Sequence, residues 1–170
     1  MIDFTPQSVE VPPSGLRVVP KSGHTGVVHK TIAAELPADA QRIAEVLRDL
    51  ANYPDWLEIV RRAEPSDAAA SDVGPAWMVT LRAKVGPLAR SKRLRMVRTI
   101  DTAEHLRFER AEVDGRDHAA WILDAHLTGD DPCSVTVELR YEGRLWSAPL
   151  EAVLGSQVDD AIPRLTALVS

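Results

Sequence analysis

Hydrophobic and polar positions alternate along most of this chain, and only two stretches fall into helical spacing. From Thr25 to Leu36 the β-branched content and rough alternation predict a first strand, which Pro37 ends. After Asp39, a residue suited to cap a helix, Ile43, Val46, Leu47 and Leu50 recur at helical steps. Pro54 blocks that helix from continuing, and a second short turn through Asp55–Leu57 would swing Tyr53 and Trp56 inward. A strand near Ile59–Glu64 and a polar loop from Ser66 to Gly74 follow.

The remaining strands are cleaner. Trp77, Val79, Leu81, Ala83 and Val85 alternate with polar neighbours, and Leu94, Met96, Arg98 and Ile100 do so after Gly86-Pro87. Leu106, Phe108 and Arg110 continue the inner face. Asp114-Gly115 predicts a tight hairpin, after which Ala119, Trp121, Leu123, Ala125 and Leu127 face inward. Val135, Val137, Leu139 and Tyr141 close the series. Period-two patterning over so many segments predicts an antiparallel meander with one wet face.

The last stretch, Ser147 to Ser170, is the second helical one. Leu150, Leu154, Val158, Ala161, Leu165 and Leu168 build one broad apolar face, and Pro149 suits the first turn. Pro163 removes a backbone bond and predicts a kink or thinning there. The expected order is strand, two helical pieces, six strands and a long helix: an α+β fold in which the sheet curls around that helix. A space between sheet and helix is left that side chains need not fill. Pro6, Pro12, Pro13 and Pro20 make residues 1–24 an extended arm, with 25–170 as the body.

Composition narrows the partners more than the fold. The 170 residues carry a net charge of −5, which argues against general nucleic-acid binding. Cys133 is the single cysteine, so no internal disulfide forms. No apolar run approaches a membrane span and no signal-type segment opens the chain, which predicts a soluble cytoplasmic protein. Phosphate-loop, dinucleotide and nucleophile-elbow patterns are missing, and the five histidines have no metal-ligand spacing. Neither a cofactor nor a metal is expected.

The run Val46-Leu47-Arg48-Asp49-Leu50-Ala51-Asn52-Tyr53-Pro54-Asp55-Trp56 resembles the helix-then-"D-x-x-x-Y-P-x-W" entry of the START/Bet v 1-like (SRPBCC) superfamily, which includes polyketide cyclase/dehydrase and lipid-transport proteins. Arg107-Phe108-Glu109-Arg110 and the long final helix are similar to that family less specifically, and the likeness covers about Thr25 to Ser170. It implies a helix-grip fold, with seven antiparallel strands gripping the C-terminal helix over an apolar cavity. The superfamily has no universal catalytic motif, so no catalytic residue is carried over.

Within such a cavity, Trp56, Trp77, Leu81, Met96, Phe108, Trp121, Leu123, Tyr141, Leu154 and Val158 are the expected wall, joined by Arg98 and Arg110 on inward parity. A buried arginine either pairs with a carboxylate, escapes at the sheet edge, or grips a polar ligand head with its planar fork. Arg82, Lys84, Arg93 and Arg95 have outward parity on neighbouring strands, in a stretch without acids between Asp72 and Asp101. This 82–95 basic hairpin suits an anionic membrane surface or an acidic partner. The leading expectation is a carrier or sequestering protein for a small hydrophobic ligand such as a lipid, isoprenoid or polyketide. A cyclase/dehydratase-like enzyme using the same cavity is the alternative, with Tyr141 as a candidate acid. An interaction protein with a filled cavity is the third.

Overall fold

A computed structural model describes residues 27–144 and 147–170, without the side chains of Val85, Ser156 and Val158. The expected arm at 1–24, Trp146 and the side chain of Val158 therefore lie outside the described residues. The chain runs β1 (Val27–Leu36), α1 (Ala40–Leu47), a 3-10 helix (Leu50–Asp55), β2 (Val60–Ser66), β3 (Ala76–Val85), β4 (Leu88–Asp101), β5 (His105–Arg110), β6 (Trp121–Thr128), β7 (Cys133–Glu142) and α2 (Ser147–Val169). All seven strands form one antiparallel sheet in the order β1-β7-β6-β5-β4-β3-β2, so β1 and β2 are its edges.

The inner face is the alternating apolar set read from the sequence. Trp77, Val79, Leu81, Leu94, Met96, Leu106, Phe108, Trp121, Leu123, Val135, Val137 and Tyr141 are all buried. They meet Leu150, Val153, Leu154, Ala161 and Leu165 of α2, the helical face expected at three- and four-residue steps. α2 is assigned helical from Ser147 to Val169, with Pro163 inside it. Pro163 and Asp159, whose carbonyl loses its partner, are both exposed, so water can take the place of the missing bond.

The motif around Tyr53 has a physical explanation. Asp39 caps α1 by accepting from the Arg42 N–H at 2.8 Å. Asp49 caps the 3-10 helix, accepting from the Ala51 N–H at 2.9 Å and from the Trp77 indole N–H at 2.9 Å. One carboxylate thus ends a turn and ties it to β3. Tyr53 donates its hydroxyl to the Leu47 carbonyl at 3.1 Å, and Asn52 donates to that of Val46 at 3.0 Å, satisfying acceptors that α1 leaves open at its C-terminus. The tighter turn begins at Leu50, ahead of the expected Asp55, because Pro54 fits within a 3-10 segment where it could not extend α1.

Two strand boundaries differ from expectation. β4 starts at Leu88, directly after a two-residue turn in which Gly86 has a φ of 60°, and its register shifts between Arg98 and Ile100. The Asp114-Gly115 hairpin does not form: residues 111–120 leave the sheet, and β6 begins only at Trp121. The acceptors and charges of that segment are engaged instead by Arg95 and Arg110.

Candidate functional site

Between the sheet and α2 lies a cavity of about 60 Å³, walled by side chains from β1, β2, β3, β4, β6, β7, α2 and the stretch following α1. Leu81 and Met96 line it from β3 and β4, Trp121 and Leu123 from β6, and Leu154 from α2, five of the expected wall residues. Sequence reasoning missed Lys30, Tyr53 and Leu139, which also line it. Parity alone could have found Lys30 and Leu139, since each lies on the inward register of its strand and the two are Cα partners. Tyr53 donates its hydroxyl to Leu47, and burial pushes the phenol well above its ordinary range, so it is held neutral with its proton committed. Among the described residues, no Asp, Glu or His lines the cavity.

The other expected residues go elsewhere. Trp56 borders a separate void of about 10 Å³ with Ile32, Val135 and Leu165, and its indole N–H has no partner among the described residues. Trp77 and Phe108 form an aromatic cluster with Tyr53 and Trp56. Phe108 stands edge-on to Trp77 at 5.7 Å and to Tyr53 at 6.2 Å, while Tyr53 and Trp56 lie 5.0 Å apart. Tyr141 packs on Trp121 with ring centroids 4.6 Å apart, and a side chain at Gly143 would collide with the Tyr141 ring. Trp56, Trp77, Phe108 and Tyr141 are not part of the cavity wall.

Arg98 and Arg110 have the inward parity expected of them, opposite Phe108 and Met96 respectively, but neither lines the cavity. Arg98 donates to the carbonyl of Arg48 at 2.9 Å, pairs with Asp101 at 2.8 Å and lies over the Trp77 ring at 6.0 Å. Arg48 itself pairs with Asp101 at 2.8 Å. Arg98 therefore holds the joint between α1 and the 3-10 helix against the sheet by binding the carbonyl of Arg48, the C-cap residue that follows α1. Arg110 pairs with Glu112 at 2.8 Å and reaches the Ala119 carbonyl at 3.3 Å and His118 Nδ1 at 3.2 Å, which pins residues 111–120 back onto β5. Their partners are carboxylates, carbonyls and an imidazole of the protein itself.

The basic hairpin needs one correction. Arg82, Lys84, Arg90 and Arg93 are exposed, and Leu88 at the tip is 67% exposed. Arg95 shares their parity but is only 3% exposed, because the loop following β2 folds over the outer face of the sheet. It donates to both carboxylate oxygens of Asp72, at 3.0 and 2.5 Å, and to the carbonyls of Ala111 and Asp67. Hydrogen bonds from Arg95 hold the Asp72 carboxyl down at about 2.

On the same outer face, the pairing of β5 with β6 places His105 opposite His126 with stacked rings 4.2 Å apart. These histidines are isolated in sequence and adjacent in space. Asp124 accepts from His105 at 2.6 Å and from both ends of the Arg107 fork at 2.7 and 3.1 Å. Burial opposes ionisation of Asp124, but its bonds from Arg107 and His105 together outweigh that and hold the carboxyl below its usual range. Candidate ligand atoms of His105, Asp124 and His126 lie within 4.8 Å of one another, and the carboxylate already accepts three hydrogen bonds from His105 and Arg107.

No protein-family model matches the chain, and no curated protein matches it by sequence. Solved structures match it by shape. A START superfamily protein from Mycobacterium smegmatis superposes with a TM-score of 0.59 at 15% identity, covering 84% of this chain and 96% of that one. The Zhui aromatase/cyclase from Streptomyces sp. R1128 gives 0.57 at 14% identity, covering 84% and 93%. A STAR-related lipid transfer protein fragment from Xanthomonas axonopodis gives 0.56 at 14% identity, covering 91% and 98%. The chain has the START/Bet v 1-like helix-grip fold, as the Tyr53 motif and the strand pattern led one to expect.

Proposed function

We propose that this protein binds a small hydrophobic ligand in the cavity between the sheet and α2, as a carrier or sequestering protein. The observation that carries this reading is the cavity wall. It is built almost wholly from aliphatic and aromatic side chains, and the one hydroxyl on it, that of Tyr53, is already committed. A buried water needs about two to four polar partners, which such a wall does not supply, so an apolar guest displaces little. Its volume of about 60 Å³ compares with the roughly 10–15 Å³ one water requires. The enclosed portion of the ligand is therefore a short chain end or a single ring.

The same wall favours binding over catalysis. Acid–base chemistry needs a titratable group within reach of the reacting atoms, and here Tyr53 is held neutral by burial while the inward arginines serve the protein's own loops. The β3–β4 hairpin supports a contact with an anionic membrane surface. Its Arg82, Lys84, Arg90 and Arg93 are exposed along the two strands that lead to the exposed Leu88 at the tip, and each basic residue near such a surface contributes about 1 kcal/mol.

Filling the cavity tests the reading. Leu139→Trp places an indole in the space from the partly buried β7 position. The neutral dye phenylnaphthylamine is expected to bind the wild type with enhanced fluorescence and to bind the folded variant at least about tenfold more weakly. Equal affinity for both proteins would place the site elsewhere.

A further inference from the structure

We propose that Lys30 is the polar anchor of this cavity, and that the ligand it selects is an amphipathic carboxylic acid with one apolar body and one carboxylate. The inference rests on the binding reading above and adds the chemical class of the guest.

Lys30 lies in the middle of edge strand β1, on the same face as Val28 and Ile32, with Leu139 as its Cα partner on β7. It is half-buried and is the one charged residue among those that line the cavity. The alternation that turns Lys30 inward turns the acids of these two strands outward. Glu35, Glu138 and Glu142 occupy the opposite parity, where Glu138 meets His29 at 3.6 Å and Glu142 meets Arg140 at 3.3 Å. Among the described residues, Lys30 has no ion-pair partner. Arg98 and Arg110, equally inward in parity, differ in this respect, because each is neutralised by an acid of the protein.

Because the wall is almost wholly apolar, Lys30 lines it with its methylene stem, and a carboxylate held at the mouth of the cavity would meet its ammonium. Lys30 is the one cation among the described residues that line the cavity, and the Tyr53 hydroxyl is taken. A single carboxylate matches that supply. A phosphate dianion would carry more charge and more acceptor oxygens than one ammonium can serve.

Calorimetry with octanoate, octanol and octyl phosphate tests this on the wild type and on Lys30→Met, with circular dichroism to verify that the variant is folded. Octanoate is expected to bind the wild type at least about tenfold more tightly than octanol. Lys30→Met is expected to lose that preference while keeping its affinity for octanol. Equal wild-type affinities for octanoate and octanol, or a preference that survives in Lys30→Met, overturn the role of Lys30 and leave the apolar cavity standing. Tighter binding of octyl phosphate than of octanoate overturns the carboxylate assignment. Failure of the folded wild type to bind any of the three overturns the binding reading and the anchor with it.

Discussion

Arg95→Met is expected to lower the melting temperature by about 10 °C at neutral pH, the largest loss among substitutions outside the apolar core. The guanidinium carries four hydrogen bonds, two to the Asp72 carboxylate and two to main-chain carbonyls of separate loops. Removing it leaves a buried carboxylate without a counter-charge, and that penalty greatly exceeds the modest worth of an exposed pair. The acid side provides a second readout. With its folded value depressed to about 2, Asp72 contributes stability in full above its unfolded value near 4 and loses it as the pH falls toward 2. The gap between wild type and variant should therefore narrow as the pH drops through about 4, followed by denaturant unfolding at each pH. A gap that is small at neutral pH, or independent of pH, would mean that the loop does not shield the pair.

Phe108→Ala is expected to cost about 4 kcal/mol, seen in urea as a lower midpoint with an unchanged slope. Phe108 is fully buried and meets Trp77 and Tyr53 edge-on. Its deletion removes both ring contacts and opens a void behind the turn that follows α1. That turn cannot collapse inward to fill the void, because Tyr53 is tied to Leu47 and Asp49 is tied to Trp77. A loss under about 1 kcal/mol would contradict the tight aromatic packing.

Most of the fold was legible because it depends on periodicity. Seven alternating segments and one helical stripe suffice to predict a sheet around a helix, and the segment from Asp49 to Trp56 combines caps, a proline and two buried rings in one short window. Whatever depends on contacts between distant residues was not legible. Parity assigns Arg95 to the outer face, but it cannot report that Asp72, beyond β3, folds over that face. Likewise, parity turns Arg98 and Arg110 inward and cannot reveal that the Arg48 carbonyl and Glu112 are waiting there. His105 and His126 become neighbours only once the β5–β6 register is known. Lys30 was overlooked for a different reason. Parity turns it inward, but lysine in a half-polar edge strand resembles ordinary surface alternation, and the cavity that gives its inward position a meaning appears only in the fold.

The central claim is that the cavity receives a small apolar guest, and native mass spectrometry of protein purified from its own host tests it most directly, followed by organic extraction of whatever is bound. A reproducible added mass that extracts as one small hydrophobic compound, and that is missing from Leu139→Trp prepared in the same way, is the predicted result. A wild-type protein that carries no such mass, and that takes up none from a panel of lipids, isoprenoids and polyketides, would contradict it.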